Sequence, residues 1–234
     1  MNHLVITLLA AEPSSLIKSA IKVAHLIGIV LGLGAATVLD IVILRFLVLG
    51  KIKDEHANLV EFVSKIVTVG LCVLWASGLC YLMHYAIFNP ENLGNEKIWA
   101  KIAIIAVLTI NGYFIHHNVL PLVRKQVGGS LFGGLARGDC ALMVTFGTVS
   151  ATSWYVPLIL GAMPQLNVGV PASAVLAAYS LLLLLGIAST QSLVYALWRE
   201  EPSPAQLAQY EVLMGRVAAI TSAPPRQPGL QSNK

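Results

Sequence analysis

Few residues in this chain could do chemistry, and they stand out because most of their surroundings are apolar. Five ionisable side chains lie inside long apolar runs: His25, Asp40, His84, His116 and His117. An ionisable group in hydrocarbon is costly, and it faces a partner, a cavity or a substrate path. Neutral imidazole is a common metal ligand. Two histidines from two helices can hold haem iron from both sides. A carboxylate facing a histidine can share or relay a proton. Two histidines are too few for zinc, which takes three or four ligands, so no separate metal site is expected.

The elements that must position these groups follow from composition. Hydrophobic residues make up 56% of the 234-residue chain and charged residues 11%, and mean hydropathy is +0.76. Soluble domains carry roughly 25% charge, so the composition excludes an ordinary soluble globule or a disordered chain and leaves a polytopic membrane protein. A crossing helix needs about 20 apolar residues. Apolar runs of that length predict an all-α membrane bundle of five transmembrane helices, at 21–49, 64–88, 98–123, 140–162 and 171–198. Asn89 and Pro90 end the second. Gly161, Pro164, Asn167, Gly169 and Pro171 mark the turn between the last two. Residues 1–20 read as an interfacial segment. Its apolar stretch Leu4–Ala11 is too short to span and lacks the basic start of a cleaved signal peptide. Residues 199–234 read as a cytoplasmic tail, with a short helix over 205–220 and disorder after Ser222.

Lys and Arg in short loops set orientation. Arg45, Lys51, Lys53 and Lys65 surround loop one, and Arg124, Lys125 and Arg137 surround loop three. Arg199, Arg216, Arg226 and Lys234 lie in the tail. These point to a bacterial inner membrane with the N-terminus outside and the C-terminus cytoplasmic, although Lys18 and Lys22 pull mildly the other way. The net charge of +4 therefore reads as a topology signal and not as a nucleic-acid footprint.

At 1.5 Å per residue, counting from these helix ends puts His25 and His84 at one outer depth. It puts Asp40, His116 and His117 together at an inner depth, as a polar cluster or proton relay. His25, Gly28, Gly32, Ala36 and Asp40 share one face of helix one. Gly28 and Gly32 form a small-residue seam that admits a neighbouring helix, a membrane partner or a second copy of the chain. Small residues there would also leave room for a flat ring between the histidines. Thr145, Thr148 and Thr152 form a hydroxyl stripe expected to bond back to its own helix, and Gln191 is expected to bond across helices. Cys72, Cys80 and Cys140 form no CxxC pair and read as small membrane-buried residues. The glycine-rich run 128–134 lacks the Lys-Ser/Thr of a phosphate loop.

One segment, Lys22 to Val123, carries a resemblance. It holds His25-Leu26-Ile27-Gly28, then Trp75-Ala76-Ser77-Gly78, then Lys97-Ile98-Trp99-Ala100-Lys101, then Asn111-Gly112 and His116-His117. This order resembles uncharacterised bacterial multi-pass inner-membrane proteins. More distantly it is similar to the copper-resistance D and J-type protoporphyrinogen oxidase families. The resemblance implies a polytopic inner-membrane fold and, through the oxidase family, an association with haem. It sets His25 at the first-helix histidine, Lys101 at the lysine of a Trp-x-Lys pattern, and His116 or His117 at a later histidine. Residues Gly34–Asp40 lack the Pro and Arg that the oxidase pattern has there, so the resemblance implies the fold more than porphyrinogen oxidation.

Three functions are therefore in view. The leading one is a b-type haem redox protein using His25 and His84. The others are a small proton- or metal-ion-coupled transporter acting through Asp40, and a structural or assembly subunit without catalysis.

Overall fold

The computed structural model describes residues 13–49, 52–132, 134–163, 170–197 and 213–214. Among the described residues five long helices carry the first unit of the chain: α1 Pro13–Leu49, α2 Asp54–Phe88, α3 Glu96–Lys125, α4 Arg137–Ala162 and α5 Ala172–Leu197. Each is long and apolar enough to cross a membrane. A 3₁₀ turn, Pro90–Gly94, joins α2 to α3. There is no named strand among the described residues; Ile52 and Val127 form an isolated parallel bridge. In the second unit, Arg199–Lys234, Leu213 and Met214 are described, as exposed helix. The N-terminal run Leu4–Ala11 and most of the 205–220 tail lie outside the described residues.

The helices start earlier than the apolar runs do. The first begins at Pro13, eight positions ahead of the expected Ile21, and the second at Asp54, ten ahead of 64. Proline suits the first turn of a helix, where its missing N–H is not needed. Asp54 and Glu55 suit the positive end of the α2 dipole. Polar helix ends thus extend beyond the lipid-facing part, and apolar run length alone does not register them.

Helix α3 is not regular. Between Ile115 and Val119 it widens into a π turn, and the Leu120 N–H reaches back five residues to the Ile115 carbonyl. Pro121 is the physical cause. It has no N–H for the His117 carbonyl, and its ring would press on that carbonyl in an α-helix. His116 and His117 both lie on this widened turn. Pro157 similarly interrupts α4 and leaves the Ser153 carbonyl without its usual helix donor.

The crossing of α1 and α2 fixes the register. A methyl group added to Gly70 would lie 2.2 Å from the Gly32 nitrogen, so the two backbones touch at these glycines. One turn toward the C-terminus of α2, a methyl on Gly28 would lie 3.0 Å from the Leu74 backbone nitrogen. Further the same way, His25 bonds Ser77. Steps along α1 are matched by equal steps back along α2. Trp154 of α4 closes the other side, 2.3 Å from where a Gly32 methyl would sit. Ala36, Leu74, Leu108 and Trp154 make the central core. Phe46, Val60, Val119, Val123 and Met143 fill the end near loops one and three, labelled inner after the orientation expected from their lysines and arginines, and Ala100, Ile104, Leu160, Val175 and Tyr179 fill the opposite end, labelled outer.

Candidate functional site

The register sets an apolar slab between two charged belts. Glu61 pairs with Lys65 at 3.1 Å and with Arg124 of α3, and these form the inner belt. Continued outward, the α1–α2 register sets Lys18 opposite His84. The bonds Trp75–Thr109 and Thr68–His116 carry the same antiparallel register to α3, which sets Lys101 opposite Met83. Lys18, His84 and Lys101 thus share the outer belt. The α2 stretch between the belts, 66–83, spans about 27 Å at 1.5 Å per residue, close to the roughly 30 Å hydrocarbon core of a bilayer.

The structure separates the two histidines that the sequence paired. His25 is half-buried on α1, with Nδ1 2.9 Å from Ser77 Oγ. His84 is buried, and its Nε2–H donates to the Ser14 carbonyl at 3.1 Å. Ser77 and His84 are seven residues apart on α2, about 10 Å along the axis. They are not level because α1 begins at Pro13: His25 lies three turns inside the helix, not one. Nor is there ring-sized room at Gly28 and Gly32, whose faces are closed by Leu74, Gly70 and Trp154. The bis-histidine arrangement is not assembled here. The same contacts mean that the Gly28–Gly32–Ala36 face, offered by the sequence to a partner or second copy, is filled by the chain's own α2 and α4.

Ser77 Oγ also faces the Val73 carbonyl at 2.7 Å and the Leu74 carbonyl at 3.2 Å. With its one hydrogen on either carbonyl it accepts from His25, and a neutral imidazole then carries its proton on Nδ1 and keeps the lone pair on Nε2. This is the arrangement in which a histidine ligates a metal through one nitrogen while the other is held by a hydrogen bond. The Tyr81 ring meets His25 edge-on at 5.7 Å. Lys101 of α3 lies within electrostatic reach of the imidazole. His84 differs, because its Nδ1 is enclosed and has no hydrogen-bond partner among the described residues.

The inner residues also go to separate partners. Asp40 is half-buried, and the α1–α2 register sets it at the depth of Phe62, at the inner edge of the slab. Among the described residues it makes no hydrogen bond or ion pair. His116 Nε2 bonds Thr68 Oγ1 at 3.2 Å, and the same hydroxyl bonds the Ser64 carbonyl at 3.0 Å. Thr68 lies six residues outward of Phe62, about 9 Å. His117 stacks on Tyr113 of its own helix at 4.2 Å. Asp40 and the two histidines thus form no bonded cluster in the described structure. Among the described residues no group of three or more His, Cys, Asp or Glu is placed to hold a metal.

Several polar groups behave as their types and positions led one to expect. Thr145 and Thr148 bond back to the Ala141 and Val144 carbonyls. Gln191 donates across to the Ala141 carbonyl and to Thr145 Oγ1. Asn111 donates to the Phe146 carbonyl, which leaves its own Oδ1 buried and unpartnered. Sequence reasoning missed Ser77 as the partner of His25 and left Lys97 and Lys101 without a site role. The i,i+4 spacing of the two lysines was the available signal for them.

Together these features define a multi-pass helical membrane protein with a polar site toward one end of the bundle. No family model, curated protein or solved structure matches the chain.

Proposed function

We propose that the chain is a multi-pass protein of the bacterial inner membrane, N-terminus outside and C-terminus cytoplasmic, in which His25 would hold a b-type haem on the outer half. The observation that carries the reading is the Ser77 lock, which holds the His25 ring and leaves Nε2 as a lone-pair donor inside the apolar slab. Iron in such a site would supply one-electron redox chemistry. The protein's part is to orient His25, exclude water with the α1–α2 crossing, and set a cation, Lys101, beside the ring. His84 has no part in ligation on this reading.

A reduced-minus-oxidised visible spectrum of the detergent-purified protein is the test. The expected result is a b-type signal that is lost in His25→Ala and kept in His84→Ala. A colourless wild type, or a signal that survives His25→Ala, overturns the proposal.

A second reading draws on Asp40, a carboxyl at the inner edge of the slab with no bonded partner among the described residues. It is a small transporter that passes a proton through that group. Proton flux in proteoliposomes unchanged by Asp40→Asn would remove it.

A further inference from the structure

The outer belt gathers positive charge between three helices. Lys97 and Lys101 are one turn apart on α3 and reach toward the end of α4. The buried Lys97 Nζ donates to the Met163 carbonyl at 2.6 Å, just past the α4 C-terminus. Such a carbonyl carries the negative end of a helix dipole and suits a lysine. Lys101, half-buried, brings its Nζ to 3.7 Å from where a Gly161 methyl would sit. A methyl there would touch the ammonium at ordinary contact distance, so Lys101 lies directly beside the last turn of α4.

The charged group within electrostatic reach of Lys101 is a second cation, Lys97 on its own helix, and the His25 imidazole on α1 lies within reach of Lys101. Glu96, the nearest acid in sequence, points its Oε2 to the Ala172 N–H at 2.6 Å and caps α5. Glu61 and its ion pairs lie in the opposite belt. Among the described residues Lys101 makes no hydrogen bond or ion pair. A cation partly withdrawn from water calls for a compensating anion. At the outer edge of a 27 Å slab, the anion at hand is a phosphate. Lysine binds phosphate as a point charge, and basic pockets between membrane helices hold lipid head groups.

We propose that Lys101, flanked by His25 and the Lys97-capped end of α4, is the binding site for a phosphate group at the outer face of the bundle. The phosphate belongs either to an anionic lipid or to a free ion. The site does not depend on haem: it stands on Lys101, and haem on His25 Nε2.

The test uses the full chain in nanodiscs of phosphatidylcholine, with and without phosphatidylglycerol, and in phosphatidylcholine with inorganic phosphate. Thermal unfolding and lipid retained in native mass spectrometry are read together, beside the visible spectrum. A rise in Tm with phosphatidylglycerol and co-retained lipid identifies a lipid phosphate. A rise with inorganic phosphate identifies a free one. Either response should weaken at least tenfold in midpoint concentration in Lys101→Gln, persist in Lys101→Arg, and be unaffected in Lys65→Gln at the inner belt. If neither phosphatidylglycerol nor phosphate changes the wild type, the proposal falls, whatever the variants do. It falls equally if Lys101→Gln responds as the wild type does. A wild type that responds to phosphate while colourless separates this site from the haem reading.

Discussion

At the residue scale, a hydroxyl decides what His25 offers. When Ser77 gives its hydrogen to the Val73 carbonyl it accepts from His25 Nδ1, and Nε2 is then the free nitrogen. If the histidine ligates iron, removing that support lowers its basicity and loosens the ring. Ser77→Ala is then expected to weaken haem affinity by about 10–100-fold, the usual effect of losing such an outer partner. A haem titration of the apoprotein measures this, and an unchanged affinity would show that the lock is not used for ligation. Gln191 gives a purely structural contrast. Its two donated bonds join α5 to α4. Interhelical bonds of this kind contribute about 0.6 kcal/mol on average in membranes, with about 1.7 as a measured upper value. Gln191→Leu should therefore lower unfolding stability in detergent within that range and leave the visible spectrum alone.

At the element scale, the α1–α2 crossing sets every depth. Gly32 and Gly70 let the two backbones meet, and that contact brings His25 to Ser77 instead of to His84. A methyl at Gly70 has nowhere to go, because it meets backbone and not a flexible side chain. Gly70→Ala is expected to cost about 1–3 kcal/mol, as overpacking does. Gly34 lies on the same helix as Gly32 with nothing within 4 Å of an added methyl. Gly34→Ala should be neutral, or stabilising by up to about 1 kcal/mol through helix propensity. Equal losses in the two variants would show that the close crossing is not formed. The π turn in α3 has a comparable logic. Pro121→Ala restores the missing N–H, so the turn is expected to revert toward an α-helix and carry His116 off Thr68. A changed His116 ring signal in NMR would report it.

At the scale of the whole molecule, two charged belts about 27 Å apart fit one bilayer, and the basic loops choose which belt faces the cytoplasm. In a background lacking native cysteines, Asn92→Cys is expected to react from outside intact cells with a membrane-impermeant thiol reagent. Lys125→Cys should react only after permeabilisation. The reverse pattern would invert the orientation and move the His25–Lys101 site to the cytoplasmic half.

The amino-acid sequence by itself determined the helical membrane architecture, because five apolar runs separated by charged loops leave the chain no cheaper way to satisfy its backbone in lipid. It also marked the few polar groups that are expensive where they stand. It could not determine which of them meet. Depth counted from apolar run ends misjudged α1, whose first turns are polar and begin at Pro13. Nor could local pattern show that Gly70 would cross Gly32, that Ser77 would thereby take His25, or that Pro121 would widen the turn bearing His116. Those outcomes depend on the closeness of two helices far apart in sequence. Only tertiary packing decides it, because a shift of one residue at the crossing moves every side chain along the helix to a new partner.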